Sequence, residues 1–282
     1  MNGGYKSKRS WTNVICYAIL VILSIGTLYP VLWVVLSSFR EGSSLYSPTP
    51  LPKASTLAHY RELFDSRSLL FTRWYWNTLK ISVVSMILGT FLTTLVAYVF
   101  SRFRFYGRRA SMSVLLSLSM FPGFMSMIAI YILLLQLKLL DTHLALILVY
   151  SAGAPIFGTF VSKGFLDTIP RSIDESARID GASHFRVFLS INLPLARPML
   201  TYLALTNFVG AWVDFIFARL ILRSKEQWTV AVGLWDMVSS YQSSNFTLFS
   251  AGAVLVAIPI TVLFLYLQRY MVGGLTAGAS KG

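Results

Sequence analysis

Long apolar runs separated by short polar stretches dominate this chain. About 20 apolar residues are needed for a helix to cross a bilayer, and six runs reach that length: 12–36, 76–100, 112–137, 143–163, 199–222 and 248–270. The pattern predicts an all-α membrane protein with six transmembrane helices. Asn207 and Asp214 interrupt the fifth run, and Pro122 and Pro259 lie inside the third and sixth. A proline removes a helical hydrogen bond and bends the axis, so bends are expected there, serving gating or ordinary packing. Trp74 and Trp76 stand where the second helix begins, the position of interfacial anchors. The first run is too long for a signal-peptide core and lacks a small-x-small cleavage site, so it reads as a retained anchor.

Composition agrees. The 282 residues are 55% hydrophobic and only 12% charged, with a mean hydropathy of +0.65, whereas soluble domains carry about 25% charge. A net charge of +13 raises the possibility of nucleic-acid binding. The basic residues, however, sit in short clusters beside apolar runs, as the positive-inside rule expects, and no water-facing basic surface is available. Arg102, Arg104, Arg108 and Arg109 crowd the short loop after the second run, which places that loop in the cytoplasm. Counting helices, both termini and the 164–197 loop are then cytoplasmic too. The first external loop, 37–75, is itself basic, but long loops translocate largely regardless of charge. It contains the extended stretch Ser47-Pro48-Thr49-Pro50-Leu51-Pro52. The segment 223–247 carries Lys225, Glu226, Trp228, Asp236, Tyr241 and Asn245; its aromatic residues either meet a sugar or partner, or form an ordinary interfacial loop. Cys16, the single cysteine, fills core or lipid-facing space.

One polar island stands out, Asp174-Glu175-Ser176-Ala177-Arg178-Ile179-Asp180-Gly181 followed after nine residues by Ile191-Asn192-Leu193-Pro194. Pro170 ends the preceding helix. Ser172 with Glu175 makes a capping box, and Asp174 and Glu175 favour a helix N-terminus, so a short helix is expected from about Ile173. Gly181 suits the left-handed position that stops it. A second amphipathic helix follows, carrying Phe185, Phe188, Leu189 and Asn192 at helical spacing and closed by Leu193-Pro194. Pro198 then opens the fifth span. The expected unit is a helix, a glycine turn and a helix outside the bilayer.

Five island positions (Glu175, Ala177, Gly181, Leu193, Pro194) hold given residue types at given spacing, a coincidence of about one in a million at one start. The island resembles the cytoplasmic coupling loop of importer permeases of the ATP-binding-cassette class, with Ser176 in place of the usual alanine. Tyr29-Pro30-Val31-Leu32-Trp33, Ala97-Tyr98-Val99-Phe100-Ser101-Arg102, Lys163-Gly164-Phe165 and Thr168-Ile169-Pro170 are similar to segments of sugar-importer permeases. Thr229-Val230-Ala231-Val232-Gly233 and the tail Gly274 to Gly282 resemble the smaller permease subunit of maltose/maltodextrin importers.

The resemblance implies one membrane domain over 1–282 with a core permease module at 75–270, a coupling loop at 164–197 and a cytoplasmic tail at 274–282. It implies ATPase coupling through Glu175, Ser176, Ala177, Gly181, Ile191, Leu193 and Pro194, and ATPase contact through Thr276, Ala277, Gly278 and Lys281. The implied partners are a larger homologous permease, an ATPase dimer, an extracellular sugar-binding protein and membrane lipid in a bacterial plasma membrane. The cargo would be maltodextrin; galacto-oligosaccharides, another sugar or glycerol phosphate are alternatives.

The chain carries no G-x-x-x-x-G-K-[ST] phosphate loop, so ATP hydrolysis is expected in a partner and no cofactor or metal in this chain. His59, His143 and His184 lie far apart and read as surface or loop residues rather than ligands. Asp214, an ionisable group near the outer end of an apolar span, is a substrate-path candidate or an interfacial hydrogen-bonder. A secondary transporter, the rival from another class, would need more intramembrane charge than this, and a membrane enzyme would need a catalytic constellation.

Overall fold

The computed structural model describes residues 4–44, 49, 52, 54–65, 70–239 and 244–279, with side chains from 13 to 271. Its regular structure is helical; one isolated bridge pairs Arg40 with Ser55. The chain divides into two compact units, Met1–Leu69 with Leu234–Ala257, and Leu70–Gly233 with Ile258–Gly282.

In the first unit, α1 (Gly4–Ser38) is apolar and outward-facing, with Cys16 exposed. Two of its hydroxyls bond to its own backbone: Ser24 donates to the Leu20 carbonyl at 2.7 Å and Thr27 to Leu23 at 2.9 Å. Beyond it the chain is pinned by Arg40, whose guanidinium lies 4.6 Å from the Trp33 ring centroid and donates to the Thr49 carbonyl at 3.0 Å. A short helix not expected from the pattern, α2 (Ala58–Asp65), packs there. Its His59 is buried, with Nε2 2.7 Å from the Arg40 carbonyl, which corrects the surface reading of that residue. Most of the 47–52 proline stretch (Ser47, Pro48, Pro50 and Leu51) lies outside the described residues, as does Tyr241.

The second unit is built on α3 (Phe71–Arg102), which packs against α6 (His143–Asp167) and α10 (Arg197–Val213). Small residues allow the close approach. A Cβ on Gly89 would lie 3.0 Å from the Ala154 Cβ, and one on Gly158 2.7 Å from the Thr93 Cγ2. Asn207 is satisfied across the interface, donating to the Thr90 hydroxyl at 3.2 Å. The third apolar run is not one straight helix. It forms α4 (Arg108–Met120) and α5 (Gly123–Gln136), bent by 100° at Phe121-Pro122. At about 1.5 Å per residue neither piece alone spans a bilayer core of about 30 Å. By contrast, α13 (Phe246–Ala279) continues through Pro259. Among the described residues, four helices can cross a membrane by length and composition, or up to six if each of two bent pairs counts as one crossing.

Trp74 is not an interfacial anchor. It is buried, packs against Trp228 at 5.8 Å and donates its indole N–H to the Lys225 carbonyl at 2.7 Å. Trp76, 64% exposed, keeps an anchor's position. Trp228 is buried as well, under Arg219 at 4.8 Å, so it is a packing residue rather than a sugar platform. His143 likewise has a structural bond, Nε2 to the Gln227 carbonyl at 2.8 Å. Asp141 accepts from the Arg223 and Ser224 amides at 2.8 and 3.0 Å and from the Ser224 hydroxyl. Partial burial opposes its ionisation, but those bonds and the Arg223 charge outweigh it and hold the carboxyl below its usual range.

Candidate functional site

The polar island folds as three linked helical pieces. Helix α7 (Arg171–Ile179) starts directly after Pro170, two residues earlier than the capping box predicts. Pro170 is extended (φ −57°, ψ 130°) and its carbonyl accepts from Ile173, so proline geometry sets the boundary and Ser172 forms no cap. The C-terminus follows the sequence. Gly181 takes φ +85°, its N–H donates to the Arg178 carbonyl, and the Ala182 N–H donates to Ala177, both at 3.0 Å. This is a Schellman stop, in which only glycine adopts the left-handed turn without strain. A Cβ at Gly181 would meet no atom within 4 Å, so backbone conformation alone requires the glycine within this chain.

After the turn, Ser183 caps α8 (His184–Val187) by accepting from the Arg186 amide at 3.3 Å. The helix then widens into a π turn over Phe188–Asn192 and continues as α9 (Leu193–Leu195). Leu193-Pro194 therefore does not close the second helix. The Leu193 amide bonds back to Phe188, five residues away, and this wider turn leaves room for the Pro194 ring. The chain breaks at Ala196, where α10 begins with Pro198 in its first turn, as expected.

The expected apolar face splits in two. Val187 and Phe188 are buried, the latter against Tyr98 at 4.7 Å, and Leu193 packs on the same core as Leu166, Met199 and Leu203. Ile179 (86% exposed), Phe185 (67%) and Leu189 point outward, although they are apolar. Among the motif residues, Glu175, Ser176, Gly181 and Pro194 are exposed, and Ala177 and Ile191 are half-buried. His184 is exposed and lies against Phe103 at 4.9 Å.

Beneath this surface is a polar cluster that sequence patterns missed. Arg102, the last residue of α3, is ion-paired with Asp174 at 2.7 Å and donates to the Ile169 carbonyl at 3.1 Å and to Asn192 Oδ1 at 3.2 Å. Asn192, fully buried, donates Nδ2 to Asp174 at 2.9 Å. Beside it the Arg171 guanidinium donates to the Ser101 carbonyl at 2.8 Å, Ser101 donates to Asp167 at 2.7 Å, and Asp167 pairs with Lys163. A polar cavity of about 110 Å³, walled in part by Arg171, Glu175, Arg178 and His184, opens next to the pair.

Asp214 has a local role. It ends α10, and its carboxylate accepts from the amides of Phe217 (3.4 Å) and Ala218 (3.0 Å), capping α11 (Ile216–Ile221), and from the Tyr150 hydroxyl at 2.5 Å. The hydrogen-bonding alternative fits this geometry. Thr276, Ala277 and Gly278 lie in the last turns of α13, with side chains outside the described set, and Lys281 lies outside the described residues altogether.

The family described as "Binding-protein-dependent transport system inner membrane component" matches residues 86–276, a stretch containing the whole island. The chain belongs to this family. Two bacterial members from Bacillus subtilis (strain 168) align along nearly its full length. The galactooligosaccharides transport system permease protein GanQ is 41% identical over 98% of both chains, and the maltodextrin transport system permease protein MdxG is 43% identical over 96% of this chain and 97% of its own. The fold is shared with a crystal structure of a bacterial ABC transporter that imports the acidic polysaccharide alginate, at a TM-score of 0.81 and 22% identity, covering 96% of this chain and 99% of the other. The matched stretch places the island, the 100° break and the Asp214 cap inside the family's common region.

Proposed function

We propose that the chain is a permease subunit of an ATP-driven oligosaccharide importer. One observation carries the coupling part of this reading: the motif residues fold into a short, glycine-stopped helical unit that presents Ile179 and Phe185 outward, uncovered by any described residue. Exposed apolar groups on an otherwise polar hairpin support docking of a protein partner there. The occupant is a separate ATPase, which takes the hairpin through Glu175, Ser176, Ala177, Gly181, Ile191, Leu193 and Pro194. The tail residues Thr276, Ala277, Gly278 and Lys281 add a second contact. In this reading each bent pair makes one crossing, giving six, with both termini and 164–197 in the cytoplasm. The groove lined by Arg104, Arg108, Arg109 and Lys163 supports that orientation by its positive charge. A larger homologous permease, an ATPase dimer and an extracellular sugar-binding protein complete the machine in a bacterial plasma membrane.

Maltodextrin is the first reading of the cargo. The 41% identity to a galactooligosaccharide permease, against 43% to a maltodextrin one, keeps galacto-oligosaccharides as the second. Asp214 serves the helix break on the transport path rather than a sugar. Uptake of labelled maltotriose and galactotriose by cells with and without the gene tests both. Loss of maltotriose uptake alone is expected; loss of galactotriose uptake alone replaces the cargo, and retention of both excludes these two sugars while leaving the importer class intact.

Gly181→Val tests the coupling surface. A β-branched residue in the left-handed region costs about 1–2 kcal/mol, enough to unwind the stop without touching a neighbour. The variant is expected in the membrane at normal levels with transport reduced at least about tenfold; a normal transport rate would refute the coupling role.

A further inference from the structure

Glu175, Ser176, Gly181 and Pro194 of the motif lie on the surface of the island, but the polar contacts that fix the island to the rest of the unit lie underneath it. A single guanidinium, Arg102, reaches three separate stretches of chain: the Ile169 carbonyl at the end of α6's connection (3.1 Å), Asp174 in α7 (2.7 Å) and Asn192 at the end of the π turn (3.2 Å). Asn192 closes the triangle by donating to Asp174 at 2.9 Å. The side chains of Arg102 and Asp174 are 6% and 12% exposed, and Asn192 has no exposed surface. Shielded from water, such bonds are stronger and stiffer than the same bonds on a surface.

The geometry of each partner is set by backbone features that otherwise lack a purpose. Arg102 is the final residue of α3. Asp174 lies in the first turn of α7 because Pro170 moves the helix start back to Arg171. The π turn, rare and often tied to function, ends on Asn192; its extra residue places Phe188 and Asn192 together on the buried face, while Leu189 points out. Ser101 and Arg171 add a parallel tie between the same two helices.

We infer that Arg102, Asp174 and Asn192 are positioning residues for transport: a buried joint that makes the α7–α9 unit and the end of α3 move as one body. This rests on the proposed coupling role of the island. A push on Ile179 or Phe185 then reaches a 32-residue helix that packs on both α6 and α10, rather than being absorbed by the loop. Asn192 is the member to test first, because it bonds both members of the ion pair and its removal leaves that pair together.

Asn192→Leu keeps the number and branching of the side-chain heavy atoms and removes every bond of the bridge; Asp174→Asn keeps an acceptor for Asn192 and removes the charge. Each is placed in the complete transporter with its ATPase and sugar-binding protein, and sugar imported per ATP hydrolysed is measured beside the amount of ATPase retained on purification. Normal ATPase retention with about a 3- to 30-fold fall in sugar per ATP is expected. An unchanged ratio in both assembled variants overturns the joint. A second readout needs no ATPase. Spin labels at positions 106 and 179, both fully or largely exposed, in a Cys16→Ser background report the distance between the turn that follows α3 and the end of α7 in the purified permease. A narrow distribution in the parent and a broad one in Asn192→Leu supports the joint, and equal widths overturn it. If the parent complex neither retains an ATPase nor imports sugar, the coupling role fails, and the spin-label comparison still decides whether the joint exists.

Discussion

Gly233→Ala is expected to lower the thermal unfolding midpoint more than any other single-methyl addition in the second unit. A Cβ at this position would lie 2.0 Å from Trp74 Cε3 and 2.4 Å from Cζ3, well inside contact distance. The indole cannot retreat. It is 2% exposed, packed at a tilt against Trp228, and held by its N–H bond to the Lys225 carbonyl. The adjoining turn of α3 is tied to the same segment: Asn77 donates to the Glu226 and Trp228 carbonyls at 2.9 and 3.1 Å, and the Thr78 hydroxyl accepts from the Val230 amide at 2.7 Å. Overpacking a well-filled site costs about 1–3 kcal/mol and sometimes more; a rigid double ring anchored at one end puts this case at about 3 kcal/mol or above. Thermal unfolding of the purified protein in detergent measures it, with Trp74→Leu added in the same chain as a relief. A midpoint within a degree of the parent would overturn the account, as would a cost of Gly233→Ala in the Trp74→Leu background equal to its cost in the parent.

That contact also shows where sequence reading stops. Apolar runs located the long helices because hydropathy is a local property, averaged over a span. The Gly181 stop was legible for the same reason, since its conformational demand is met by bonds to Arg178 and Ala177 just before it. Trp74 was misread because its location at the head of an apolar run suggests an interface, whereas its fate is decided by Trp228, far away in sequence. Pro122 signalled a bend, but a proline does not say how far the chain turns. Its 100° break follows from Phe121-Pro122 taking extended backbone on both residues. The π turn has no period that pattern matching would seek, so Asn192 looked like one more member of an amphipathic face. Arg102 was counted as a topology charge. It lies in an arginine-rich loop, and only the fold separates it from Arg104, Arg108 and Arg109, which line an open groove. The site was thus half legible: its outward residues through the motif, its buried support not at all.

Arg102→Met should be the most damaging substitution near the island, and its partner decides how damaging. Methionine fills most of the arginine's stem volume, so lost packing is a small part of the effect. What remains is a carboxylate, Asp174, whose side chain is 12% exposed, left without its cation. Removing one member of a buried pair costs about 3–5 kcal/mol, much of it the isolation of the remaining charge. Asp174→Asn removes that charge while keeping an oxygen for Asn192, so Arg102→Met with Asp174→Asn should be more stable than Arg102→Met alone. Non-additivity of this kind is expected for groups in one network. Limited proteolysis across 171–195 and the unfolding midpoint of the four proteins of the cycle measure it. Recovery in the double variant of about half the loss identifies an unpaired charge as the cause. A double variant worse than either single would instead mean that Arg102 stabilises the island chiefly through the Ile169 carbonyl and Asn192, the two acceptors that lose its guanidinium in Arg102→Met and that Asp174→Asn does not restore.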